Sequence, residues 1–188
     1  MSTAPVCRTV TVHTFRGERT LLFRQYLFGA LADERAGRGP APTRIECLLF
    51  LGHTGVSTDV DATIYGFSPD GSGDPMWQVM DNLRTSRAYP GVVLDDSAVF
   101  AAAANRGLLI LTFDVILPEP VFEAFQRELN SQQRSSPYTY GFPDGDGDCN
   151  CTTWLERLGL PLLTGRMDEF TTVAGVAARA PRRFGLCN

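Results

Sequence analysis

The sequence predicts a single α+β domain, in which a small antiparallel sheet packs on a helix. Apolar and polar residues alternate over residues 6–15, which is typical of a strand. Two further apolar segments, 44–58 and 62–67, flank the turn-forming residues 59–61 and predict an antiparallel hairpin. Apolar residues recur at helical spacing over 118–132, which indicates an amphipathic helix.

Local patterns predict the remaining elements. Residues 18–34 have the apolar spacing of a helix, and the Gly- and Pro-rich stretch 37–42 ends it. Residues 75–83 predict a short helix and residues 108–117 a strand, whereas 87–106 have no clear pattern. After the polar loop 135–148, a helix is expected from Asn150 or Cys151 to about Leu158, and a last helix over 167–178.

The composition excludes several classes of function. The chain has 188 residues and a net charge of −4, and all 17 of its basic residues are arginine. Without lysine, a lysine nucleophile, a Schiff base and a phosphate-loop lysine are impossible. The mildly negative net charge gives no sign of electrostatic binding to nucleic acid. No apolar run approaches the roughly 20 residues that cross a bilayer, so we expect no transmembrane segment.

The N-terminal residues lack the basic start and apolar block of a secretory signal, so we expect synthesis in the cytoplasm without a signal peptide.

The five cysteines are Cys7, Cys47, Cys149, Cys151 and Cys187. An odd number of cysteines without a signal sequence argues against a disulfide framework, and we expect mostly free thiols. Neither a metal nor an organic cofactor is implied.

Cys151 is the strongest candidate for a reactive residue. A Gly/Asp loop, 144–148, delivers it to the expected first turn of a helix. The positive end of the helix dipole favours thiolate over thiol, which activates a cysteine. Unpaired N–H groups there, including that of Cys151 itself, can also hold an oxyanion.

A thiolate nucleophile normally needs an imidazole within hydrogen-bond reach. The chain has two histidines, His13 and His53, and neither follows Cys149 or Cys151. In any catalytic pair with one of these two cysteines, the histidine therefore precedes the cysteine along the chain. His53 ends an apolar segment, from which its side chain can project into a cleft, whereas His13 is expected to be structural or on the surface.

Two short motifs resemble those of a known superfamily. The segment 52–57, GHTGVS, is similar to the histidine strand of the circularly permuted NlpC-like, papain-fold superfamily. The segment 150–154, NCTTW, is similar to its nucleophile motif. That superfamily includes bacterial cell-wall peptidases and relatives of lecithin:retinol acyltransferase. The resemblance covers about residues 44–160 of the single domain 1–188, so that the N-terminal strand and helix and the C-terminal tail would be elaborations.

The resemblance implies a permuted papain-like fold with Cys151 as nucleophile and His53 as base. It places a third, orienting group on the strand after the histidine, where Asp61 is the candidate and Asp59 the alternative. Residues expected to line the oxyanion site and cleft are Asn150, Thr152 and Tyr65. The implied activity is hydrolysis of an amide bond, above all in bacterial peptidoglycan, by an antibacterial effector secreted into a target cell or its periplasm. A type VI or contact-dependent secretion carrier and an immunity protein would then be its partners.

Other interpretations stay open at the level of sequence. Cys149 can replace Cys151 as nucleophile, Cys151 can be an inert thiol, and His53 can be a core histidine. The acidic residues of 144–148 suggest calcium, but the loop lacks the Gly and Glu that an EF-hand loop requires. Cysteines 149, 151 and 187 lack the usual zinc spacing. The same fold also serves acyltransferases, deamidases and protein proteases, and a non-enzymatic binding module is a further alternative.

Overall fold

The computed structural model describes residues 6–70, 75–141 and 148–160. These residues form seven strands: β1 (Cys7–Arg16), β2 (Gly52–Thr58), β3 (Tyr65–Pro69), β4 (Tyr89–Asp95), β5 (Ile110–Pro118), β6 (Thr139–Tyr140) and β7 (Asp148–Cys149). They also form six helices: α1 (Leu21–Arg35), α2 (Arg44–Leu51), α3 (Pro75–Thr85), α4 (Ser97–Asn105), α5 (Glu119–Arg134) and α6 (Trp154–Arg157).

The strands form one sheet in the order β5-β1-β2-β3-β4-β6-β7. Neighbouring strands are antiparallel, except for the parallel pair β6 and β7. The predicted α+β class with an antiparallel sheet is therefore confirmed, and β2 and β3 pair as the expected hairpin. β1, which the resemblance left outside the family-like core, lies inside the sheet between β5 and β2.

Helices cover both faces of the sheet. On one face, Phe122, Phe125 and Leu129 of α5 pack with Trp154 and Leu155 of α6 against buried valines of the strands. On the other face, apolar residues of α1, α2 and α4 pack around Phe15 and Phe100. Among the helices that the structure describes, none is long and apolar enough to cross a membrane.

The predicted long strand 44–58 is wrong in its first half, because residues 44–51 form helix α2. Thr43 and Glu46 make a capping box: the Thr43 hydroxyl accepts the Glu46 N–H at 3.3 Å, and the Glu46 carboxylate accepts the Thr43 N–H at 2.7 Å. This pairing satisfies two backbone donors and starts a helix. Gly52, with φ of 87°, ends α2 and redirects the chain into β2.

The segment 87–106, which has no clear sequence pattern, contains β4 and α4. The strands and helices expected over 6–15, 18–34, 75–83, 108–117 and 118–132 are present with small shifts of their ends. The helix expected over 167–178 lies outside the described residues.

A buried hydrogen bond fixes the C-terminal part of the described chain against α5. The Trp154 indole N–H donates to Gln132 Oε1 at 2.6 Å, and both side chains are almost completely buried. Trp154 also stacks on Phe67 of β3, with ring centroids 5.9 Å apart. The short segment that carries Cys151 is thereby held against the sheet.

We predict that Gln132→Leu lowers the free energy of unfolding by about 1–3 kcal/mol, because a buried indole N–H loses its acceptor. In a Trp154→Phe background, where that N–H is absent, the same substitution should cost clearly less. Urea denaturation followed by far-ultraviolet circular dichroism measures both values. An equal loss in both backgrounds would contradict the role assigned to this bond.

Candidate active site

The candidate site lies where β2 and β3 stop pairing. Their register contains only Gly55 with Gly66 and Val56 with Tyr65, whereas β3 and β4 pair over five residues. The N-terminal part of β2, which carries His53 and Thr54, thus extends beyond its pairing with β3. The Cys151 thiol lies beside it, close enough to the Thr54 backbone and the His53 side chain for both to lower the pKa of the thiol.

A short, buried contact holds the His53 ring. His53 Nε2 lies 2.6 Å from Asp96 Oδ2, and neither side chain is exposed to solvent. The ring also packs on Phe100 of α4, at 5.9 Å between centroids. With Nε2 bound to the carboxylate, Nδ1 is the ring nitrogen left for Cys151. Nδ1 makes no hydrogen bond to any described residue, so it is free to act on a neighbouring group.

Asp96 occupies the N-cap position of α4 but does not cap the helix with its side chain. An aspartate at this position usually accepts a backbone N–H of the first turn. Here the carboxylate points instead to His53 through Oδ2 and to Arg44 through Oδ1, which lies 2.6 Å from Arg44 Nη1. The Arg44 guanidinium also donates to Ser68 Oγ at 2.7 Å through Nη2. The Asp96 side chain thus links His53 to Arg44 in a His–Asp–Arg chain instead of capping α4.

Two glycines that face each other across the hairpin allow close packing at this site, and one of them makes room for the chain itself. At Gly66 of β3, a Cβ atom would overlap both Asp96 Oδ2 and His53 Nε2. At Gly55 of β2, a Cβ atom would lie 2.8 Å from the Tyr65 carbonyl oxygen and close to Ile64 and Phe100. The H-x-G spacing of residues 53–55 therefore has a steric reason.

Cys151 lies in a capped turn rather than within a regular helix. Residues 151–153 form a turn, and α6 begins at Trp154, later than predicted. The Asn150 side-chain oxygen accepts the N–H groups of Thr152 and Thr153 at 2.9 and 3.0 Å, and Thr153 Oγ1 accepts the Asn150 N–H at 2.9 Å. Because α6 has only four residues, the dipole of a long helix does not act on Cys151, contrary to the expectation from sequence.

The electrostatics of the three groups are coupled. Burial alone would lower the pKa of His53, but the charge and hydrogen bond of Asp96, together with the interaction with Cys151, raise it to about 9. Burial would raise the pKa of Cys151, but His53, the Thr54 backbone and the Thr152 hydroxyl lower it below its ordinary value. Burial would also raise the pKa of Asp96, whereas His53 and Arg44 lower it. These directions favour a thiolate–imidazolium pair beside an ionised aspartate.

The structure does not place the expected third carboxylates at His53. Asp61 accepts the Thr63 N–H and the Tyr65 hydroxyl, both at 2.9 Å, and remains partly exposed. Asp59 pairs with Arg8 at 3.2 Å. The carboxylate that contacts His53 is thus Asp96 and not Asp61 or Asp59. His53 lies near the start of β2, whereas Asp59 and Asp61 lie in the turn that follows its end.

The other candidates fall into two groups. Asn150 shapes the turn and Thr152 contacts Cys151, with its hydroxyl 3.9 Å from the sulfur. Tyr65 instead donates to Asp61. His13 hydrogen-bonds to Ser57 at 2.8 Å, and Cys149 is fully buried in the core.

Sequence reasoning missed Asp96 and Arg44. Asp96 precedes Ser97 and the alanine run 101–104, a helix-start pattern followed by the strongest helix former. That pattern could have located Asp96 at a helix N-terminus. Arg44 directly follows Thr43 within the T-x-x-E capping box of residues 43–46, whose pattern could have shown that it begins a helix.

The structure contains Cys47, Cys149 and Cys151 as thiols, whereas Cys7 is disulfide-bonded, so the expectation of mostly free cysteines does not extend to Cys7. Within the described residues, no group of three or more His, Cys, Asp and Glu side chains is arranged to hold a metal ion. Residues 144–147 of the Gly/Asp loop and Cys187 lie outside those residues.

Comparisons with protein-family models, with curated proteins and with solved structures found no match to this chain. We therefore infer function from the geometry of the site and from the motifs at residues 52–57 and 150–154.

We predict that Gly66→Ala separates the Asp96 carboxylate from the His53 ring, because the added methyl group overlaps both. The hydrolytic activity proposed below should fall by at least tenfold while circular dichroism still reports a folded protein. Gly29→Ala is the matched control, since a Cβ atom at that helical position meets no atom within 4 Å. A Gly66→Ala variant with undiminished activity would contradict this account of the site.

We also predict that Asp96→Asn lowers the pKa of His53 from about 9 towards or below its ordinary value of 6.5, since burial then acts without the opposing charge. Nuclear magnetic resonance titration can follow this directly, because the chain has only two histidines. His13 is the internal control: burial lowers its pKa, and its partners do not include Asp96. An unchanged His53 titration in Asp96→Asn would refute the assigned role of Asp96.

Proposed function

We propose that this protein is a cysteine hydrolase that cleaves an amide bond by acyl transfer. The observation that carries the proposal is a buried His53–Asp96 contact of 2.6 Å next to Cys151, whose pKa the histidine lowers. A nucleophile, a base and a group that orients the base are the parts that such a reaction requires. A purely structural role gives no reason to bury an ionised His–Asp pair next to a thiol, since burying charge is costly.

In the proposed mechanism, the Cys151 proton is held on His53 Nδ1, and Asp96 fixes the ring through Nε2. The thiolate attacks the carbonyl carbon, and the carbonyl oxygen becomes an oxyanion. As the tetrahedral intermediate collapses, the imidazolium gives its proton to the departing amine, and a thioester remains on Cys151. His53 then removes a proton from water, which attacks the thioester and releases the acid and the cysteine.

The hydrogen bonds of the turn limit which groups can bind the oxyanion. The N–H groups of Thr152 and Thr153 donate to the Asn150 side chain and are therefore engaged. We assign oxyanion binding to the backbone N–H of Cys151, which lies next to the attacking sulfur. Asn150 is then a residue that positions the turn, and it does not donate to the oxyanion.

We propose a peptide bond of bacterial peptidoglycan as the substrate and a permuted papain-like fold as the scaffold. Both rest on the resemblance of residues 52–57 and 150–154 to the NlpC-like superfamily. The same resemblance is the basis for proposing a secreted antibacterial effector with a secretion carrier and an immunity protein. Acyl transfer to a lipid, deamidation and proteolysis use the same chemistry, and the test below separates peptidoglycan cleavage from proteolysis by substrate.

The test is digestion of purified peptidoglycan, with denatured protein as the parallel substrate, followed by mass spectrometry of the released fragments. We predict that Cys151→Ala lowers product formation by at least a thousandfold, since the nucleophile is lost. Cys149→Ala is the matched control, because this neighbouring thiol is buried in the core, and it should retain activity.

Equal product from the wild type and Cys151→Ala would refute the nucleophile assignment. Cleavage of denatured protein alone would overturn the peptidoglycan substrate while leaving the hydrolase intact.

A further inference from the structure

Three buried threonine hydroxyls form a continuous path to the candidate nucleophile. Thr14 of β1 and Thr54 of β2 are direct cross-strand partners, and their hydroxyl oxygens lie 3.0 Å apart. Thr54 Oγ1 lies 3.3 Å from Thr152 Oγ1, and Thr152 Oγ1 lies 3.9 Å from Cys151 Sγ. The exposed fraction of each threonine is at most 1 %. Three buried hydroxyls therefore join two strands to the reacting sulfur.

We propose that Thr14, Thr54 and Thr152 form one reorientable chain of hydrogen bonds that stabilises the thiolate form of Cys151. The inference rests on the proposed function and deepens it, because it concerns how the resting nucleophile is kept ionised.

The chain has two arrangements in which every hydroxyl donates once. In the first, Thr14 donates to Thr54, Thr54 to Thr152, and Thr152 to the Cys151 sulfur. In the second, Thr152 donates to Thr54, Thr54 to Thr14, and Thr14 to the His53 carbonyl oxygen, 3.3 Å away. Hydroxyl protons rotate freely between such partners, so the two arrangements interconvert without moving a heavy atom.

The charge on the sulfur selects between these arrangements. A thiolate is a strong acceptor, and it favours the arrangement that ends in a donated O–H. A protonated or acylated sulfur is a poor acceptor, and the chain can then reverse onto the His53 carbonyl. Because hydrogen bonds in a buried chain polarise one another, the outer threonines should strengthen the donation by Thr152.

Other groups also act on this sulfur, and the test leaves them unchanged. His53 faces it from β2, with Asp96 of α4 and Arg44 of α2 behind the ring. Tyr140 of β6 and Cys149 of β7 interact with each other, and Tyr140 interacts with Cys151.

The experiment measures the rate at which iodoacetamide alkylates Cys151 as a function of pH, with the modified peptide quantified by mass spectrometry. The probe reacts with the thiolate and requires no substrate. Thr152→Val should move the midpoint of the profile upward by about one pH unit. At pH values below the midpoint, the alkylation rate should then be about tenfold lower than in the wild type. Thr54→Val should lower that rate by about threefold and Thr14→Val by less.

Thr58→Val is the matched control. Thr58 lies on the same strand and the same face as Thr54, it is buried, and its hydroxyl contacts the backbone of Asp61. Its alkylation profile should equal that of the wild type. Thr54→Ser keeps the hydroxyl and should restore the profile, which separates the lost hydrogen bond from altered packing and serves if Thr54→Val does not fold.

The outcomes distinguish this inference from the proposed function. If Thr54→Val and Thr14→Val both behave like the control, the chain is overturned, whether or not Thr152 acts alone. If Thr54→Ser has the same shift as Thr54→Val, packing explains the effect and the chain is also overturned. If the wild-type midpoint itself lies at the ordinary cysteine value of 9.0, the activated thiolate of the proposed function fails.

Discussion

The contact between His53 and Asp96 determines the rest of the site. It pairs an imidazole and a carboxylate at 2.6 Å with no access to water. Burying two charges in this way is costly unless their mutual attraction and further bonds offset the loss of hydration. Arg44 supplies an additional ionic contact to Asp96, and the neighbouring Cys151 helps to keep the pKa of the imidazole raised. The pair thus explains why an arginine begins α2 and why the aspartate at the start of α4 leaves its own helix uncapped.

Each group of the site comes from a different element, and the sheet brings them together. β2 carries His53, α4 brings Asp96 from one face, and the turn before α6 brings Cys151 to the point where β2 and β3 separate. The bond from Trp154 to Gln132 then fixes that turn on α5. The position of the Cys151 thiol therefore depends on packing on both faces of the sheet, and a change in either core can alter its reactivity without direct contact with the sulfur.

The sequence was sufficient for some parts of this arrangement and insufficient for others. The proximity of His53 and Cys151 could be predicted because the scarcity of histidine leaves few pairs, and the β2–β3 hairpin because its turn residues are strong signals. Asp96 could not be chosen from among several acidic residues by spacing alone, since its role depends on a tertiary contact rather than on local pattern. The helix over 44–51 was missed because a short apolar run fits either element, and there the capping box outweighed the apolar pattern.

Gly66 has a consequence for how such a site can change during evolution. The residue contributes no functional group, yet any side chain there would occupy the space of the imidazole and the carboxylate. Substitution of Gly66 is therefore not tolerated for as long as the histidine and the aspartate keep their positions. An ancestor or descendant with a larger residue at 66 must obtain its acidic group from another part of the chain. His53, Gly66 and Asp96 must therefore change together, and the glycine, which has no functional group, is as constrained as the other two.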